Sequence, residues 1–329
     1  MKKFLTIIIL ILFVTAWYLL FYTKSKPVSV KVSPAENNLQ LFIEPDSGNK
    51  FLIDAINSAS KDILVEDYLL SDKDTITSIE NAKSRGVDVQ VLLEEHPFGG
   101  SGLNPKTKTD LESHNIKFEW TSSSFALTHE KSLIIDDKEL FILSQNLTTS
   151  SFTKNREYDI EDTNQNDVNE VKNIFSNDWN RTTFNPSQTD LVISPNTSRP
   201  LLTSLIESAN KEIDIEVEDI DDPSILSLLS QKSQGEIVNL LTPTLKQVSS
   251  NKKAFDELKN SKVNIKTLSS PYIHGKLILI DNQKAYVGSI NFSTQSIDEN
   301  RELGIILNQS DIIETLSQTF AGDWQKAMD

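Results

Sequence analysis

The chain of 329 residues contains no cysteine, which excludes disulfides, thiol nucleophiles and zinc-thiolate sites together. Positive charge is scarce: 32 Lys and Arg stand against 47 Asp and Glu, a net charge of −15. Such a balance lacks the basic face by which a protein grips many phosphates of a polynucleotide. Lys106, Lys108, Lys131, Lys154 and Arg156 can still supply a local basic funnel. Glycine is sparse too, with ten residues. Gly99, Gly100 and Gly102 share one loop but lack the lysine-serine ending of a phosphate-binding loop, so nucleotide binding is set aside. Four histidines without a thiol make no metal-binding pattern, and neither a metal nor another cofactor is expected. With 38% hydrophobic and 24% charged residues the chain is neither disordered nor polytopic, and its length allows two domains, each with a core.

Long apolar runs are absent with one exception, the uncharged residues 4–22. At about 1.5 Å per residue this run is just long enough for a bilayer core of roughly 30 Å. Lys2 and Lys3 precede it, and Trp17, Tyr18 and Tyr22 lie toward its far end, as interfacial rings would. The expectation is a transmembrane anchor over residues 1–23 with the body outside the cytoplasm, and a membrane as partner. A cleaved signal segment, hence a secreted protein, is the alternative, since Val14-Thr15-Ala16 resembles a cleavage site. Residues 24–38, with Pro27 and Pro34, read as a tether.

What the chain does have is a repeat. His129-Glu-Lys131-Ser-Leu-Ile-Ile-Asp136 returns as His274-Gly-Lys276-Leu-Ile-Leu-Ile-Asp281, a shift of 274 − 129 = 145 residues. Ser144 and Asn146 map onto Ser289 and Asn291 at the same shift. Asn155-Arg156-Glu157 maps onto Asn300-Arg301-Glu302, and Asp178-Trp179 onto Asp323-Trp324. Upstream, residues 55–63 echo residues 205–213 at a shift of 150. Apolar residues alternate between helical and strand spacing in both halves, which predicts an α/β fold of two tandem domains, 39–185 and 186–329. The apolar segments 132–135 and 277–280 read as central strands, each leading through a hairpin at Asp136 or Asp281 to the next strand.

A phosphodiester is anionic and repels nucleophiles, so its cleavage calls for positive groups around the non-bridging oxygens. Lys131 and Lys276 can supply them, with Ser144, Asn146, Ser289 and Asn291 as substrate-binding hydrogen-bonding groups. A neutral imidazole can attack phosphorus while a second, protonated one serves the leaving alcohol, so two histidines need two environments. Asp136 and Asp281 either orient these groups or simply shape turns. Glu157 and Glu302 recur in register and are expected to support a histidine or lysine from behind.

The doubled His-x-Lys-x-x-x-x-Asp, with Gly288-Ser289-Ile-Asn291 downstream, resembles the signature of the phospholipase D superfamily. The resemblance implies two α/β repeats, each a mixed sheet flanked by helices, related by a pseudo-twofold axis with the active site at their seam. It also implies metal-independent cleavage through a phosphohistidine, with His129 as nucleophile and His274 as general acid. The catalytic set is then His129, Lys131, Asp136, His274, Lys276 and Asp281. The first copy departs at Leu143, where the second has Gly288, and a narrowed first half-site or a shifted Ser144 is expected there. The expected substrate is a phospholipid, cleaved or transphosphatidylated. An exported or membrane-anchored nuclease, a cardiolipin synthase-like transferase and an inactive binding protein are the further readings.

Overall fold

The computed structural model describes residues 38–98, 102–187 and 190–328. The first repeat runs β1 (Leu39–Glu44), α1 (Lys50–Ser58), β2 (Asp62–Asp67), α2 (Lys73–Ser84), β3 (Asp88–Leu93), α3 (Leu103–Ser113), β4 (Lys117–Trp120), β5 (Ser132–Ile135), β6 (Glu139–Ile142), α4 (Thr149–Lys154), β7 (Asn155–Asp162) and α5 (Gln165–Asn180). The second runs β8 (Leu191–Ser194), α6 (Ser198–Glu207), β9 (Glu212–Val217), α7 (Pro223–Lys232), β10 (Ile237–Pro243), α8 (Lys252–Leu258), β11 (Asn264–Leu268), β12 (Tyr272–Ile273), β13 (Lys276–Ile280), β14 (Lys284–Gly288), α9 (Thr294–Asp298), β15 (Glu302–Leu307) and α10 (Ser310–Lys326).

Local chemistry sets these boundaries the same way in both copies. Asp72 caps α2 by accepting from Thr75 N, and Asp222 caps α7 by accepting from Ser224 N and Ile225 N, with Pro223 in the first turn. The β5–β6 hairpin turns on Asp136 and Asp137 (φ 55° and 57°), and the β13–β14 hairpin on Asp281 and Asn282 (both φ 53°). Aspartate and asparagine tolerate this left-handed region best among residues with a Cβ.

Strand order is β1-β7-β6-β5-β2-β3-β4 in one sheet and β8-β15-β14-β13-β9-β10-β11 in the other, the same arrangement twice. Both sheets are mixed: β2, β3 and β4 are parallel, whereas β5, β6 and β7 are antiparallel. One apolar core joins the repeats. It takes Leu64, Ile134 and Ile160 from the first, Leu277, Val287 and Leu303 from the second, and Val168, Ile174, Ile312 and Leu316 from α5 and α10. A separate layer, with Leu52, Ile56, Ile79 and Leu111, fills the other face of the first sheet beneath α1, α2 and α3.

The repeats also exchange backbone and charge. Thr128 bridges Arg301, and Ile273 pairs with Arg156 through the short parallel contact of β12 with β7. Arg156 Nε donates to Asp323 across the seam at 2.5 Å, and Arg301 Nε donates to Asp178 at 2.7 Å. All four residues are buried. A buried guanidinium that loses its carboxylate is left as an uncompensated charge.

One expectation is corrected. No helix among the described residues is long and apolar enough to cross a membrane, so the N-terminal membrane anchor and the localisation built on it are not supported. The run at residues 4–22 on which that expectation rested lies outside the described residues.

Asp323→Ala should lower the unfolding free energy by about 3–5 kcal/mol, the cost of breaking a buried pair by removing one partner. Urea denaturation measures it, and a loss under about 1 kcal/mol would show that the crossed pair does not hold the repeats.

Candidate active site

The end of each sheet that carries the histidine meets its counterpart, and the supporting carboxylates cross. His129 Nδ1 lies 2.9 Å from Glu302 Oε2, and His274 Nδ1 lies 2.7 Å from Glu157 Oε1. Each glutamate belongs to the other repeat. Ser144 Oγ donates to Glu157 at 2.8 Å, and Asn155 and Asn300 Nδ2 donate to Glu157 and Glu302 at 3.0 and 3.2 Å. A carboxylate at Nδ1 fixes the hydrogen on that nitrogen and leaves Nε2 for chemistry.

The main chain pins the rings as well: His129 N donates to Arg301 O at 2.8 Å and His274 N to Arg156 O at 3.2 Å. Lys131 and Lys276 each return to the carbonyl of the histidine two residues earlier. Both ammonium groups are fully buried. Burial drives Lys131 down to about 8, with Glu302 opposing and Lys276 adding to the fall. Burial likewise pushes His129 down to about 4; Glu302 resists, while Lys131 and Lys276 reinforce the shift. His129 is therefore a neutral imidazole near neutral pH. Burial alone would raise Glu302 and Glu157, but the facing histidine, the neighbouring lysine (Lys131 or Lys276) and the hydrogen bond from Ser289 or Asn155 together hold each carboxyl below its ordinary range.

Several expected site residues lie elsewhere. Asp136 accepts from Ser60 N, Ser60 Oγ, Lys61 N and Asp62 N, and Asp281 from Asn210 N, Lys211 N and Glu212 N. Each aspartate staples its hairpin to the start of the neighbouring strand. The five residues from Lys131 to Asp136 span roughly 16 Å along a strand, so the carboxylate sits at the wrong end for chemistry. Ser144 and Ser289 are fully buried and bonded beneath the glutamates, where they position the histidines' partners. Asn146 lines the cleft beside His274, and its Oδ1, like that of Asn291, accepts no hydrogen bond from any described residue.

Leu143 does not narrow the first half-site. It is fully buried with Leu133, Phe141, Leu147 and Phe152 in the layer under the helices. The second copy needs glycine because a Cβ on Gly288 would lie 2.3 Å from Gly304 Cα and 2.8 Å from the Tyr286 hydroxyl. In the first copy Asp159 stands in place of Gly304 and Phe141 in place of Tyr286, and the Asp159 carboxylate accepts from Ser144 N and Gln145 Nε2. His96 and His114 are exposed and take no part, with side chains 83% and 45% accessible.

The repeat pattern alone did not single out three features. Arg156, Arg301, Asp178 and Asp323 recur at 145 residues, a signal that was present but silent on which copy each would touch. Glu66, Glu130 and Asp178 form a buried carboxylate group whose oxygens lie within 4.8 Å of one another, with the Arg301 guanidinium already donating to Asp178. Glu218 joins the site from the end of β9, and nothing at the matching position, Tyr68, announced it.

Residues 52–179 and 202–324 each match the family model described as "Cardiolipin synthase, PLD-like domain". The chain belongs to the phospholipase D superfamily. The phospholipase D of Rickettsia typhi is 28% identical over 136 residues, which cover 41% of this chain and 64% of that protein. The chain thus spans somewhat under two thirds of that relative's length. The cardiolipin synthase of Clostridium perfringens is 22% identical over 339 residues, covering 87% of this chain and 70% of its own length. The crystal structure of the phosphatidylserine synthase of Haemophilus influenzae shares the fold, with a TM-score of 0.69 at 12% identity over 90% of this chain and 88% of that one.

Burial raises Glu130 to about 7; Arg301 opposes the rise and the neighbouring Asp178 adds to it. A carboxyl whose folded value exceeds its unfolded one contributes stability that is present at low pH and lost as pH rises through the folded value. Glu130→Gln should therefore flatten the fall in unfolding free energy between about pH 4.5 and 7 by an amount on the order of 1–3 kcal/mol. Urea melts across that range check it; an unchanged slope would mean Glu130 is ionised in the fold.

Proposed function

We propose that the chain is a phospholipase D-type phosphodiesterase, cleaving phospholipid phosphodiester bonds or transferring the phosphatidyl group, through a phosphohistidine on His129. His129 Nε2 attacks phosphorus, the P–N bond forms, and the P–O bond to the alcohol breaks as that oxygen takes the proton from His274. A water then attacks phosphorus, gives its proton to His274, and the P–N bond breaks. Lys131 and Lys276 hold the non-bridging oxygens, and Asn146 and Asn291 offer amides to them. Glu302 and Glu157 keep both rings aimed, and Ser144 and Ser289 hold those glutamates.

The observation that carries this reading is the neutral His129 beside two buried lysines, with its Nδ1 engaged by Glu302 and its Nε2 left to act as nucleophile. The cleft above His274 supports this substrate class. Its volume is about 440 Å³, and Ser71, Asn146, Thr148, Asn155 and Glu218 line it. No lysine or arginine among the described residues joins that lining. A single phosphodiester with a polar headgroup suits such walls better than a polynucleotide, which needs a cationic track. Transfer of the phosphatidyl group to an alcohol, as in a cardiolipin synthase, is the second reading, favoured by the Clostridium perfringens relative that matches 87% of the chain. The alcohol would then replace water in the second step.

Given labelled phosphatidylcholine, phosphatidylglycerol and single-stranded DNA in the presence of chelator, the chain should release headgroup and spare DNA. His129→Ala should reduce turnover by about 10³-fold or more, as for other nucleophiles that act within a concerted set. DNA cleavage with lipid untouched would overturn the substrate class. Loss of all activity in chelator would overturn the metal-free chemistry.

A further inference from the structure

The two half-sites differ at one position that the histidines feel directly. Tyr68 and Glu218 correspond at the 150-residue shift that relates the first strands of the repeats, 218 − 68 = 150. Tyr68 packs edge-on against His129 with ring centroids 4.7 Å apart, and the Lys131 ammonium lies 5.1 Å from the Tyr68 ring. Its hydroxyl oxygen accepts from Phe98 N, and burial keeps the phenol neutral. His129 therefore meets no charge from this position.

Glu218 brings a carboxylate instead. Its Oε2 lies 3.5 Å from His274 Nε2 and 3.5 Å from Lys276 Nζ, and the Tyr272 hydroxyl donates to its Oε1 at 2.7 Å. His274 thus faces a carboxylate at each ring nitrogen, Glu157 at Nδ1 and Glu218 at Nε2. A carboxylate beside each nitrogen favours a hydrogen on both, which is the imidazolium. His129 has one such acceptor, Glu302, and one hydrogen satisfies it.

We infer that Glu218 assigns the two histidines their opposite roles, by holding on His274 the proton that the leaving oxygen later takes. This rests on the phosphohistidine reading above, and it makes Glu218 a positioning residue. Other charges surround the pair. Lys276 approaches His274 Nδ1 at 3.4 Å and opposes the proton, Glu157 favours it, and Asp219 and His129 lie within electrostatic reach of Glu218. Burial pushes the Glu218 carboxyl up, yet His274, Lys276 and the Tyr272 hydroxyl together hold it at about 2. It is anionic throughout the neutral range.

Diethyl pyrocarbonate acylates neutral imidazole and spares imidazolium, so its rate at each histidine reads protonation without requiring turnover. In the full chain at neutral pH, His129 should react about tenfold faster than His274. Glu218→Gln should raise the His274 rate by about 5–10-fold and leave His129 within about twofold, and Glu218→Asp should restore protection. Peptide mass spectrometry separates the sites, with His96 and His114 as exposed references. Equal rates at His129 and His274 in the wild-type chain, or a His274 rate unchanged in Glu218→Gln, would overturn the inference. Turnover of bis(para-nitrophenyl) phosphate is followed in parallel. Its absence in the wild-type chain would sink the phosphodiesterase reading, while the labelling pattern still decides the role of Glu218.

Discussion

The last strand of each repeat opens on Asn-Arg-Glu, and what those side chains touch decides the molecule. The arginine reaches an aspartate on the other repeat's closing helix, the glutamate reaches the other repeat's histidine, and the asparagine steadies the glutamate. Neither repeat supplies both halves of any of these cross-seam pairs. The site is therefore complete only when the two repeats are paired. The apolar core across the same seam supplies the area, and the crossed charges supply the register.

Burying this much charge is costly, and the molecule meets the cost by pairing. Arginine against aspartate and histidine against glutamate leave few unopposed charges near the seam. Burial drives carboxyls that lack such a partner, among them Glu66, Glu130 and Glu216, toward the neutral acid. The second copy resolves the same space differently: Gly275 stands in place of Glu130, and a Cβ there would meet the Tyr158 ring at 2.6 Å. The pseudo-twofold relation is thus kept in the backbone and broken in the side chains. That breakage is what lets two like histidines differ.

Much of this was legible in the chain. The 145-residue shift identified the histidines, lysines and glutamates and the order of elements, because a duplicated fold must repeat its apolar pattern. The recurrence of Glu157 and Glu302 pointed to support of a histidine or lysine. Crossing was not legible, since a shift states which residues are equivalent and not which copies meet. Asp136 and Asp281 misled because regular spacing in a motif looks chemical, whereas five residues of strand carry a side chain to the opposite end of the sheet. Leu143 misled for a related reason, as the glycine it replaces answers to Gly304 and Tyr286 and not to the cleft. Glu218 was passed over because it breaks the repeat.

Ring-labelled histidine, followed by nitrogen NMR in the wild-type chain and in Glu157→Gln and Glu302→Gln, tests the crossed support most directly. The account predicts that Glu302→Gln moves the His129 Nδ1 signal and leaves His274 in place, while Glu157→Gln moves His274 and leaves His129. If each substitution instead perturbed the histidine of its own repeat, the two half-sites would not be joined as described.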